Sequence, residues 1–172
     1  MSVDPSKLGI VHFPADVLRR KAKPIVAFDD LVGAVARRMF ELMHEAEGVG
    51  LAAPQVGLPW RMFVANSREP GDEDRIYINP KLTFDGGLVP HDEGCLSLPG
   101  IRADIRRPSH VTIVALDAQG REFTMTSGGF PARIWQHEND HLDGVLILDR
   151  MTTIDRIATR RAVKDLLAAA ET

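Results

Sequence analysis

Gly129-Phe130-Pro131-Ala132-Arg133-Ile134-Trp135-Gln136-His137-Glu138-Asn139-Asp140-His141-Leu142 is the stretch around which the rest of the chain organises. It reads as a helix running from about Gly129 or Pro131 to Leu142. On a helix, positions i and i+4 share a face, so His137 and His141 can aim their imidazoles at one metal ion. Glu138, beside the first histidine, is placed to handle a proton on water bound to that ion. The H-E-x-x-H pattern points to metal-assisted hydrolysis.

A catalytic site of this kind wants three protein ligands and one open position. No histidine follows His141; those remaining are His12, His44, His91 and His110. The candidate third ligand is Cys95, in the loop-like run His91-Asp92-Glu93-Gly94-Cys95-Leu96-Ser97-Leu98-Pro99-Gly100. Gly94 lets the backbone pass close to an ion. A thiolate with two neutral imidazoles suits Zn²⁺ or Fe²⁺. A third segment, Gly48-Val49-Gly50-Leu51-Ala52-Ala53-Pro54-Gln55-Val56-Gly57, suggests backbone packed tightly against a ligand. It lacks the lysine and hydroxyl residue of a phosphate-binding loop.

Outward from these segments, Asp29 or Asp30 can cap a helix to about Glu47. Leu31, Val35, Met39, Leu42 and Met43 recur at helical spacing, and Gly48 and Gly50 are expected to end it. Lys7 to Arg20 reads as extended. Leu58 to Ala65 and Ile76 to Asn79 read as strands joined by a polar turn, and Pro80 to Pro90 as another extended stretch around Gly86-Gly87. Val111 to Leu116 and Arg121 to Thr126 form a hairpin about Asp117 to Gly120. A last helix is expected from about Thr153 to Ala170. Helices early and late with strands between predict an α+β domain, not alternating βαβ units.

Bulk properties narrow the setting. The chain has 172 residues, enough for one domain with a real core. A net charge of -3 does not advertise nucleic-acid binding, and no DNA partner is expected. No apolar run approaches the roughly 18 residues needed to span a membrane. The start, Met1 to Pro5, shows no signal peptide. With Cys95 alone there is no internal disulfide, and a reducing cytoplasm fits.

Taken together, Gly48 to Gln55, Glu93 to Ser97 and Gln136 to His141 resemble the three motifs of peptide deformylases: G-x-G-x-A-A-x-Q, E-G-C-L-S and Q-H-E-x-D-H. They stand in the family's order and at similar spacing. The resemblance extends to Phe13-Pro14, Lys21 to Pro24 and Asp143-Gly144, most of the chain. It implies one catalytic domain over residues 1–172, with mixed or antiparallel sheets around a central motif-bearing helix and a C-terminal helix. It implies removal of the formyl group from the N-terminal formylmethionine of newly made polypeptides, releasing formate. Cys95, His137 and His141 would hold one divalent ion. Iron is the metal expected in cells, with Zn²⁺, Ni²⁺ or Co²⁺ possible in purified protein. Glu138 would serve as general base, and the Gln55 amide and Leu96 backbone N–H would stabilise the oxyanion. The Gly50 backbone would clamp the peptide as a strand. The methionine pocket maps to Val49, His91, Glu93, Phe130, Arg133, Ile134 and His137.

Arg133 departs from an apolar lining. Its stem is expected to cover the pocket and its head to point outward, or the whole side chain to face solvent. Asp140 and Asp143 are read as hydrogen-bonding or helix-end residues, Trp135 as core, and His12, His44 and His110 as ordinary. Arg156, Arg160, Arg161 and Lys164 on the last helix read as a solvated face, or more sharply as a contact with the ribosome. A general metallopeptidase, a binding-only protein and a structural metal site are the rival readings. The cysteine ligand, the intact Glu138 and Gln55, and the three-ligand set argue against them in turn.

Overall fold

The computed structural model describes residues 3–170. Helix α1 (Asp30–Glu45) is capped by Asp29, whose side chain accepts from the Val32 N–H. Its buried residues Val32, Val35, Ala36, Met39, Leu42 and Met43 keep the helical period. The positive φ that ends it falls on Glu47 (55°), not on a glycine, and the Gly48 N–H bonds back to the Met43 carbonyl at 2.8 Å. Gly50 belongs to the next element, strand β1 (Gly50–Ala52).

Strands β2 (Met62–Ala65), β3 (Arg75–Gly94), β4 (Arg102–Leu116) and β5 (Glu122–Ser127) follow β1 in one antiparallel sheet of order β1-β2-β3-β4-β5. The α+β expectation holds, with the sheet wholly antiparallel. Two boundaries differ from the sequence reading. The stretch after Pro90 read as loop is strand as far as Gly94, and Arg102 to His110 is strand as well. Long pairing with a register partner overrides the breaking tendency of Pro90, Gly86 and Pro108. The β2 strand starts at Met62, later than Leu58, because residues 57 to 61 turn past Lys23, which forms an isolated bridge with Trp60. The stretch Lys7 to Arg20, read as extended, follows a 3-10 turn at Pro5–Lys7 and contains another at Asp16–Arg19.

Alternation in β2 shows why this strand is buried on both faces. Met62 and Val64 join the α1 cluster, while Phe63 and Ala65 join the cluster around helix α2 (Phe130–Leu142). Trp135 is core as expected, and its indole N–H donates to the Tyr77 hydroxyl at 3.0 Å. A third cluster gathers Leu98, Ile101, Ala103 and Ile105 with Leu146, Ile147 and Met151 around the short helix α3 (Ile147–Arg150). Helix α4 (Thr153–Ala169) carries a Thr152–Asp155 capping box and lays Ala162, Val163 and Leu166 on this cluster. Among the described residues, no helix is long and apolar enough to cross a membrane.

The β3–β4 hairpin places the site. Two bulges each give β3 one residue more than β4: between the pairs Ile78–Leu116 and Lys81–Val114, and between Asp85–His110 and Leu88–Pro108. Gly86 takes φ 77° at the second, where a Cβ would run into Ser109 and His110. Each extra residue flips which parity of β3 faces inward. Before the second bulge Leu82 and Phe84 pair with buried Ile113 and Val111. After it His91 and Glu93 pair with buried Ile105 and Ala103. That flip turns His91 and Glu93 toward α2.

Candidate metal centre

Helix α2 presents His137 and His141 one turn apart, and the β3–β4 turn brings Cys95 over them. The Cys95 Sγ lies 3.3 Å from His141 Nε2, which lies 3.3 Å from His137 Nε2. The three donor atoms fall within 4.8 Å of one another. Burial pushes His141 well below the ordinary imidazole range, helped by the charges of His137 and Arg107. A neutral ring is the form a metal needs. Burial also works to lower His137. The Cys95 thiol, the Glu93 hydrogen bond and the charge of Glu138 outweigh it and hold His137 well above its usual value. A soft thiolate with two imidazoles fits a transition-metal ion where the three donors meet.

His137 is oriented from behind. Its Nδ1 sits 3.0 Å from Glu93 Oε2, the carboxylate partner that fixes ring and tautomer in many metal sites. Glu93 is itself buried and held by Arg107, whose Nε and Nη2 donate to the two carboxylate oxygens at 2.7 and 2.9 Å. Burial would raise Glu93, but His137 and Arg107 hold it well below the carboxylate range. Arg107 also donates to Asp140 Oδ2 at 2.8 Å, and Arg150 holds both oxygens of Asp140. Asp140 thus does more than end the helix. Asp143 pairs with Arg61 at 2.8 Å.

Arg107 and Arg150 are absent from the sequence-predicted site. The period-2 pattern of Ala103, Ile105, Val111, Ile113 and Ala115 places residue 107 on the inward side and could have found the first. Nothing local marks Arg150, whose partner comes from α2.

Glu138 is buried, and burial pushes its carboxyl up to about 7. Its Oε2 has no hydrogen-bond partner. The carboxyl lies so close to Gly50 that a Cβ there would sit 2.8 Å from Glu138 Cγ and Cδ and closer still to Oε1. This is why a glycine opens β1. Gln55 is fully buried. Its Oε1 accepts from the Ala52 N–H at 2.8 Å, which turns Nε2 toward Cys95 Sγ, 3.6 Å away, and Ser97 Oγ, 3.3 Å away.

A cleft of about 500 Å³ opens over this group. Val49, Gly50, Gln55, Glu93, Cys95 and Leu96 are among the residues that line it, as are His91, Phe130, Arg133, Ile134, His137 and Glu138. The sequence-predicted residues other than the buried His141 therefore border one cavity. The His91 and Phe130 rings stack with centroids 6.0 Å apart. Arg133 does not turn its head to solvent. It bonds Val89 and Ile105 carbonyls and Glu93. His44 pairs with Asp74 at the surface and does not line the cleft.

The family model described as Polypeptide deformylase matches residues 7–157. The chain belongs to the polypeptide deformylase family. Its members are metal-dependent hydrolases that act on formylated nascent peptides. The chain is 47% identical over 148 residues to the chloroplastic/mitochondrial peptide deformylase 1B of Arabidopsis thaliana, covering 84% of this chain and 54% of that protein. The chain thus spans about half the length of that plant relative. It is 40% identical over 158 residues to the peptide deformylase of Teredinibacter turnerae, covering 91% of this chain and 94% of the relative. Among solved structures, an Arabidopsis thaliana peptide deformylase 1B superposes with TM-score 0.90 at 42% identity, over 95% of this chain and 92% of that one. The Legionella pneumophila deformylase gives 0.86 at 35%, over 95% and 97%.

Proposed function

We propose that residues 1–172 act as one catalytic domain that hydrolyses the N-terminal formyl amide of nascent formylmethionyl peptides, releasing formate and a free amine. The observation that carries this reading is the convergence of Cys95 Sγ, His137 Nε2 and His141 Nε2 within 4.8 Å, beside Glu138 and the Gln55 amide, in one cleft. Cys95, His137 and His141 would hold a divalent ion, which supplies Lewis-acid activation of a water. Glu138 Oε2, buried and unpartnered, would take a proton from the attacking water and deliver one to the leaving nitrogen. A carboxyl near 7 suits both tasks. Gln55 Nε2, with the Leu96 backbone N–H, donates to the oxyanion that forms at the formyl carbon. The substrate backbone lies along Val49 and Gly50 as an added strand. Val49, His91, Phe130, Ile134 and the Arg133 stem receive the methionine side chain, with Glu93 and His137 at its inner end.

Fe²⁺ is the proposed native metal. The thiolate makes such a site sensitive to oxygen, so activity falls in air, more slowly with Ni²⁺ or Co²⁺ in place of iron. An air-stable, fully active zinc form would count against iron. The lone thiol of Cys95 supports a reducing, cytoplasmic setting. Ribosome contact through α4 is supported by its exposed Arg156, Arg160 and Arg161 and by exposed Ile154 and Ile157. Salt-dependent co-sedimentation tests it, and salt-insensitive or absent binding would remove it.

The decisive experiment measures formate release from a formyl-Met tripeptide by Ni²⁺- or Fe²⁺-loaded protein, with Glu138→Ala alongside. Release by the parent and a loss of about 10²–10⁴-fold in the variant are expected. No release from protein shown to hold one metal per chain would overturn the assigned reaction.

A further inference from the structure

Beyond Ile78, strand β3 has β4 on one side only, because β2 pairs just with Arg75 to Ile78. Its residues 83 to 92 are exposed, and apolar burial does not hold this edge: Leu88 and Val89 keep 61% and 46% of their surface in water. Yet this edge carries His91 and Glu93 into the cleft wall. At Val89 what fastens it is one side chain of α2. Arg133 Nη2 donates to the Val89 carbonyl at 2.6 Å, and Nη1 to the Ile105 carbonyl at 2.8 Å and to Glu93 Oε1 at 3.1 Å. The fork therefore grips both strands of the hairpin just past the Gly86 bulge, where the register shifts by one residue. Glu93 keeps Arg107 and His137 as further partners, and Gln136 holds the Pro108 carbonyl at 3.0 Å. Val89 has no comparable second anchor among the described side-chain bonds.

We propose that Arg133 is a positioning residue that sets the width and side-chain selectivity of the substrate pocket by stapling the outer β3–β4 ribbon to α2. The proposal rests on the deformylase reading for the identity of the substrate. A guanidinium is required because its planar fork reaches three acceptors at once, whereas a lysine ammonium is a point charge on a flexible stem. Arg133 has no hydrogen bond to Glu138, Gln55 or Cys95, and its one link toward His137 runs through Glu93, which Arg107 also holds, so its loss is expected to act mainly on binding and not on the proton transfers.

The test compares metal-loaded parent, Arg133→Met and Arg133→Lys. Met keeps the apolar stem and leaves Glu93 paired with Arg107, so the fold is retained. Expected for Arg133→Met is a rise in KM of about tenfold for a formyl-Met tripeptide, with kcat within about threefold. Its discrimination between formyl-Met and the bulkier formyl-Phe tripeptide should narrow. Amide exchange from Leu88 to Gly94 should quicken while Arg75 to Phe84 stays unchanged. Arg133→Lys should recover part of each effect. Unchanged exchange with unchanged discrimination, or a fall in kcat at constant KM, would overturn the staple. A parent that releases no formate would remove the assigned reaction, and the exchange comparison would still decide whether Arg133 holds the ribbon.

Discussion

The two halves of the β3–β4 hairpin are one continuous ribbon built on different physics. In the inner half, β4 turns Val111, Ile113 and Ala115 into the α2 cluster with Phe63, Tyr77 and Trp135. In the outer half the inward positions are Ala103, Ile105 and then Arg107, which is 2% exposed. The inner half is held by apolar contact, which is non-directional. The outer half adds to the packing of Ala103 and Ile105 a set of directional bonds from Arg107, Arg133 and Glu93. Desolvating such charges costs several kcal/mol each, repaid only with good geometry and full hydrogen bonding. The fold thus spends its ionic groups where the His137 ring is held in one orientation, and its hydrophobic groups where volume alone matters.

The comparison breaks most sharply at Arg107. Arg107→Met leaves Glu93 without its two-pronged partner and Asp140 with Arg150 alone. A loss of about 3–5 kcal/mol is expected, read by urea unfolding of the metal-free protein. A change under about 1 kcal/mol would mean that the outer half is held by Ala103 and Ile105 after all. The inner-half counterpart is Ile113→Ala, expected to cost about 2–5 kcal/mol through cavity formation while metal affinity stays near parent. Lost metal affinity in that variant would erase the distinction between the halves.

A smaller effect sharpens it. Glu93→Gln retains size but weakens the partner of His137, and metal affinity should fall by about 10–100-fold in competition with a chelator. Equal affinity would show that Glu93 serves stability alone. The smallest effect lies outside the hairpin, in the β2–β3 loop. Burial tends to raise Asp72, but hydrogen bonds from the Ser67 hydroxyl and backbone N–H keep it below its ordinary value. A depressed carboxyl stabilises the fold above its unfolded pKa, and that contribution is lost as pH falls through the folded value. The Tm gap between parent and Asp72→Asn should therefore shrink from about pH 6 to about pH 3. A gap that widens on acidification would reverse this assignment.

Much of this molecule is legible in the order of its residues. The 3.6 period marks α1 and α2, the spacing of His137 and His141 declares a shared helix face, and the Gly48 to Gln55 and Glu93 to Ser97 segments name the remaining partners. These are local signals, carried within one or two turns of chain. The outer hairpin is not legible in this way. The glycines and prolines at 86, 87, 90 and 108 read as breaks, and only pairing across the ribbon makes them strand.

What the sequence by itself determined is the candidate chemistry: which side chains could donate to a metal, which carboxylate stands beside them, and that two of the donors share a helix. What only the tertiary structure decided is direction. A bulge of one residue at Gly86 chooses which parity of β3 faces α2, and so whether Glu93 meets His137 or solvent. The same long-range pairing buries Arg107 and turns Arg133 from solvent onto the ribbon. Side-chain period along a strand is a local property. Its phase depends on pairing between residues far apart in the chain, and no short stretch of sequence carries it.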